Sequence, residues 1–230
     1  MASLTAYSST GDGFAGRNGA DAAWADARSG AGIDSRNNLV ADVTIDNTFA
    51  GGVYYCNRGF YFFDTSALGA SATISAAVFS LLRNDASYAF SNVDSASCHV
   101  VSSTSADPTV AGSKNLIGTI NFGSVTFAST TDGAYFDITL NADGRAGISK
   151  TGVTKFATIG DRDLNNSAPT GNGNKLSVIQ ADTAGTGSDP KLVVTYSTSS
   201  IKTWNGLADA SVKNYNGLAR ASAKTWNGLA

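Results

Sequence analysis

Few groups in this chain are able to do chemistry. His99 is the only histidine among 230 residues, and Cys56 and Cys98 are the only cysteines. A Ser-His-Asp hydrolase needs its imidazole between a serine and a carboxylate, and a thiol–imidazole nucleophile needs sulfur beside the ring. Cys98 directly precedes His99, but adjacent residues on a strand point to opposite faces. The histidine therefore reads as structural. There is no glutamate, so all 18 acidic residues are aspartates. A glycosidase acid–base pair would have to be two of them. Asp161 and Asp163 have the spacing, and share a face if Ile159 to Leu164 is extended. The run Asp161-Arg-Asp-Leu-Asn165 also matches the first half of an EF-hand loop. It then fails, with Asn166 where glycine is required and Asn172 where a bidentate glutamate is required. A structural calcium held by Asp161, Asp163 and carbonyls is the one cofactor the sequence offers. Gly171-Asn-Gly-Asn has no Walker lysine and reads as a hairpin tip. The poverty of such groups predicts a protein that is not an enzyme.

Binding is the other chemistry to weigh. A glycan site needs an exposed aromatic platform with polar neighbours. Trp24, Tyr54 and Tyr88 are the leading candidates, and Tyr61 and Tyr135 are further ones. The net charge is −2, which supplies no basic field for nucleic acid and no polybasic membrane patch. No apolar run approaches the roughly 20 residues that span a bilayer. The opening Met-Ala-Ser-Leu-Thr-Ala-Tyr has neither a basic start nor an apolar stretch, so it is not expected to be a secretory signal. Folding in a cytoplasm follows from that expectation, as does release by lysis in the manner of a virion component. Cys56 and Cys98 are then expected to be two buried thiols, with a disulfide as the alternative.

The elements that would position these groups are mostly strands. Aspartate without glutamate, abundant glycine and rare proline suit turns and short strands. Arg58 to Leu82 is the most apolar stretch. Phe60 to Phe63 is bulky enough to be buried on both faces, and Ala72 to Leu82 alternates with period two. Further strands are predicted at Thr5–Tyr7, Leu39–Asp46, Val53–Asn57, Cys98–Ser102, Leu116–Ile120, Ser124–Phe127, Ala134–Leu140, Val153–Ile159, Lys175–Gln180 and Lys191–Tyr196. Gly11 to Gly13, Gly16 to Gly19 and Gly51-Gly52 read as turns, and Arg83 to Asp94 as a polar loop. Asp21 to Arg28 is either one short helix capped by Asp21 or an irregular loop pinned by Trp24. One helical turn is admitted near Asp143-Gly144. The pattern predicts an all-β fold over residues 1–197, a two-sheet β-sandwich of jelly-roll type.

From residue 198 the composition shifts and an 11-residue repeat begins. Trp204, Tyr215 and Trp226 are equivalent, each followed by Asn-Gly. Leu207, Leu218 and Leu229 are equivalent too. Asn-Gly is a strong hairpin signal, so a strand–turn–strand unit is favoured over an 11-residue helical repeat. About thirty residues cannot bury three aromatics and three leucines alone. Trp204, Leu207, Tyr215, Leu218, Trp226 and Leu229 are therefore the expected docking or oligomerisation residues.

Arg58-Gly-Phe-Tyr-Phe-Phe-Asp-Thr-Ser-Ala-Leu, continuing through Thr73-Ile-Ser-Ala-Ala-Val-Phe-Ser-Leu-Leu82, resembles the central motif of DNRLRE-type jelly-roll domains. Phe136-Asp-Ile-Thr, the stretches 153–163 and 176–181, and the closing Ser188-Asp-Pro-Lys-Leu-Val-Val-Thr-Tyr196 are similar to later parts of that family. The likeness spans roughly residues 40–197. It implies a jelly roll of the kind found in bacterial surface proteins, carbohydrate-binding modules and phage structural proteins. The expected function is a non-enzymatic structural or adhesion protein of a phage virion, in a tail, fibre or capsid decoration. Its partners would be further copies or other virion proteins. The alternative is a carbohydrate-binding module at a cell surface or outside the cell, with a surface glycan as ligand.

Overall fold

A computed structural model describes residues 1–30, 35–37, 42–84, 96–110, 112–171, 175–181 and 185–198, with four two-residue strands between 203 and 219. The strands are β1 (Ala2–Tyr7), β2 (Gly13–Asp21), β3 (Ser35–Asn37), β4 (Asp42–Ala50), β5 (Val53–Asp64), β6 (Thr73–Leu82), β7 (Ser97–Ser102), β8 (Gly123–Thr126), β9 (Tyr135–Thr139), β10 (Val153–Gly160), β11 (Lys175–Ile179) and β12 (Lys191–Ser197). Four of them form one antiparallel sheet in the order β1-β12-β6-β9. The other sheet has eight strands, with β11-β4-β5-β10-β7-β8 in order and β2 and β3 attached beside β5. The two sheets pack face to face as the expected all-β sandwich.

The alternation read from the sequence sets what lies between them. Ala77, Phe79 and Leu81 on β6 are buried on the face turned to the other sheet. They meet Tyr61 and Phe63 of β5 and Phe156 of β10 in one cluster. The rings interlock edge to face, Tyr61 with Phe79 at 5.2 Å and Phe63 with Phe79 at 5.6 Å between centroids. Phe60 and Phe62 point the other way and are buried as well, against Ala15, Val101, Ala157 and Ile159. Strand β5 is thus covered on both faces, as its aromatic run predicts.

A second layer covers the outer face of the larger sheet. It holds α1 (Trp24–Ser29), a 3-10 turn at Ser113–Asn115 and α3 (Asp161–Leu164). Several expectations change here. The short helix forms, but it starts at Trp24 behind Ala23. Asp21 instead ends β2 and accepts from Arg17 at 2.5 and 2.6 Å. Gly16 to Gly19 is no turn: it lies inside β2, where pairing with β5 overrides the local signal, and the extra residues appear as a register shift between Asn18 and Asp21. Leu116 to Ile120 forms no strand, only a single bridge from Ile117 to Ser103. Ile159 to Leu164 does not stay extended, because the chain turns into α3 after Gly160. The helical turn near Asp143 is α2 (Ala142–Ala146), whose cap Asn141 accepts from the Gly144 amide at 2.9 Å. The start of the expected strand at 39–41 and nearly all of the loop at 83–94 lie outside the described residues.

In the tail, β13 (Thr203–Trp204) pairs with β14 (Leu207–Ala208), and β15 (Asn214–Tyr215) pairs with β16 (Leu218–Ala219). In backbone register Trp204 is paired with Leu207 and Tyr215 with Leu218, with an Asn-Gly sequence between each pair. The third copy, with Trp226 and Leu229, lies outside the described residues.

Candidate functional site

Arg58 sits on the outward stripe of β5 with Cys56, Phe60 and Phe62. A buried guanidinium needs a carboxylate and a full set of acceptors. Asp163, 105 residues further on, supplies the carboxylate. Its Oδ2 accepts from Arg58 Nε at 2.6 Å and its Oδ1 from Nη2 at 2.8 Å. Both residues are almost wholly buried, at 3% and 0% exposure. Arg58 Nη1 donates to the carbonyl of Lys114 at 2.6 Å, and Nη2 to the carbonyl of Arg28 at 2.8 Å. One side chain therefore ties α1, the 3-10 turn and α3 to the sheet. A Cβ at Gly160, just before α3, would stand 2.3 Å from Asn47 Oδ1, and the Asp163 amide donates to that same oxygen at 3.1 Å.

Two more cations join this pair. Lys114 is fully buried and donates from Nζ to the Ala27 carbonyl at 2.6 Å. Burial pulls its pKa down to about 8, with the Arg58 charge adding to the effect and Asp163 opposing it. Burial would lower the pKa of Arg58 too, but the Asp163 carboxylate overrides it and holds the guanidinium above its ordinary range. Arg28 donates from Nε to the Asp163 carbonyl at 2.9 Å and lies 3.1 Å from its Oδ1. Cys56 sits beneath Asp163, with Sγ 3.7 Å from Oδ2. Burial first, and the nearby carboxylate second, push its thiol up to about 12.

Over this cluster lies an open cleft of about 320 Å³, lined by Arg28, Arg58, Asp163, Ile117, Ile159 and Leu164 among others. It is a concave feature bordered by α1, the 3-10 turn and α3. Of its polar lining, only Asp163 was singled out from sequence. Arg28, Arg58 and Asn115 were not. The available signal was Arg58 itself, a lone charge at the head of an apolar run.

Asp161 and Asp163 turn to different partners. Asp161 accepts from the Ser97 amide and meets His99 Nε2 at 2.5 Å. Asp163 is held by Arg58 and Arg28. With the segment helical, the two carboxylates do not share a strand face, and both oxygens of each are bonded within the protein. Among the described residues no group of three or more His, Cys, Asp or Glu side chains is placed to hold a metal ion. His99 has its carboxylate, but among the described residues its buried Nδ1 has no partner and no serine completes a triad there. Cys98 points into the main core and His99 away from it, as expected of strand neighbours. Both cysteines are buried free thiols.

The aromatic candidates are also relocated. Trp24 is 8% exposed and packs on Tyr54, ring centroids 5.9 Å apart; Tyr54 in turn packs on Phe49 at 4.6 Å. Trp24 anchors α1 over Cys56 and presents no platform. Tyr61 is core. Tyr135 is partly exposed, with Lys191 Nζ 4.1 Å above its ring and its hydroxyl donating to the Asp189 carbonyl. Tyr88 lies outside the described residues. Among the described residues no helix is long and apolar enough to cross a membrane. No protein-family model matches the chain, and no curated protein matches its sequence.

Proposed function

We propose that the chain is a non-enzymatic structural or adhesion protein, a β-sandwich carried on a repeat tail that docks it into an assembly such as a phage particle. The observation that carries this reading is the tail. Two consecutive repeats pair an aromatic residue with a leucine across Asn-Gly in the same register. An isolated hairpin of this size is marginal in water, and its aromatic needs a further surface to be buried. The natural surfaces are another copy or a neighbouring virion protein. The sandwich supports the same reading, because Asp163, Arg58, Asp161 and His99 are engaged with one another in ways that stiffen a scaffold. Deletion of residues 200–230 tests it. Mass by light scattering should fall, and incorporation into particles should be lost. Unchanged mass and incorporation reject the docking role.

Glycan binding is the second reading, and the open cleft beside Arg28 favours it. Trp24 is removed from that reading by its burial.

A further inference from the structure

We propose that the cleft between α1, the segment 115–119 and α3 binds a carboxylate-bearing sugar, a uronate residue within or at the end of a glycan. The proposal rests on the glycan-binding reading and names the ligand class. The first argument is charge. Arg28 and Arg58 share a single carboxylate, Asp163, and Lys114 is buried beside them on a backbone carbonyl, so the cluster behind the cleft carries an excess of positive charge. Arg17 adds nothing to this excess, because it is paired with Asp21. An anion entering the cleft supplies what the cluster lacks.

The second argument is donor geometry. Every nitrogen of Arg58 is engaged inside the protein. Arg28 differs: Nε is fixed on Asp163, while Nη1 and Nη2 have no partner among the described residues, and the side chain is 25% exposed. One edge of a planar fork is thus held from behind and the rest is presented to the cleft. Such a fork suits a planar carboxylate in a bidentate pair. The third argument is the remainder of the lining. Ile117, Ile159 and Leu164 are apolar, and Thr119 at the exposed rim has a hydroxyl without a partner among the described residues. A phosphate ion would gain nothing from three aliphatic side chains. A sugar ring has a C–H face to lay on them and hydroxyls for the rim. A volume of about 320 Å³ is at the small end of ligand cavities, which run from roughly 300 to 1,000 Å³, and suits one sugar unit.

The test is titration of the full-length protein by calorimetry or amide chemical shifts with galacturonate and glucuronate, against galactose, glucose and inorganic phosphate. Uronates should bind about tenfold or more tightly than their neutral counterparts, and phosphate should bind more weakly than uronate. Arg28→Gln should abolish that preference. Because Arg28 also steadies Asp163, Thr119→Trp provides a second variant that fills the mouth without touching an ion pair, and it should remove binding of both sugars. Equal affinity for uronate and neutral sugar, phosphate binding as tight as uronate, or a preference that survives Arg28→Gln would each overturn the proposal and leave glycan binding standing. No binding of any saccharide would overturn both.

Discussion

Asp46 is a carboxylate that the fold holds against its preference. It is 2% exposed, with Oδ2 3.3 Å from Lys175 Nζ and Oδ1 without a partner among the described residues. Burial pushes its pKa up to about 6, with Lys175 limiting the rise. The folded state therefore keeps a proton that the unfolded chain releases near pH 3.8. Stability from this group is full below about pH 4 and is lost as the pH rises through 6. Asp46→Asn removes the titration, so the variant should gain on the parent by about 2 kcal/mol between pH 4 and pH 7. Urea unfolding at both values measures this, and a pH-independent difference would refute it. The Arg58–Asp163 pair shows the limit of reading single residues from sequence. A charge at the head of an apolar run demands an anion, so the need was legible. Which of 18 aspartates answers it was not, because the partner comes from a turn formed only after β10 ends. Asp163 was noticed for its spacing to Asp161, and that spacing proved to separate the two.

At the scale of elements, period-two alternation located most strands, since burial of one face dictates it. It misplaced Leu116–Ile120, where an apolar run serves the second layer without joining a ladder. Strand β5 also contains a residue whose reason only the sheet reveals. Gly59 pairs with Thr158 of β10. A Cβ there would stand 2.5 Å from Thr158 Oγ1 and 2.6 Å from the Tyr61 hydroxyl, which themselves lie 3.3 Å apart. The glycine is the space in which that buried pair meets. Gly59→Ala should destabilise by about 1–3 kcal/mol through overpacking. Tyr61→Phe on the same background should return part of the loss, because it removes one of the two clashing atoms. A double-mutant cycle by thermal unfolding reads the coupling, and strict additivity would count against the steric account.

The whole molecule is a sandwich with one main core between the sheets and two smaller clusters on the outer face of the larger sheet. The fold class was legible because many short strands and turns leave little other choice. The second layer was not, since it is built from short irregular segments joined by ion pairs across the chain. The two thiols divide between these layers. Cys98 lies in the main core, and Cys56 lies under α1 with Trp24 and Ala27. Burial raises both thiol pKa values, so neither reacts until its surroundings open. Alkylation followed by peptide mass mapping should label Cys56 faster than Cys98, because lifting a six-residue helix is easier than parting two sheets. Equal rates would mean that the two layers open together. The chain thus carries a pair of built-in clocks, one timing the departure of its outer coat and the other the failure of the sandwich itself.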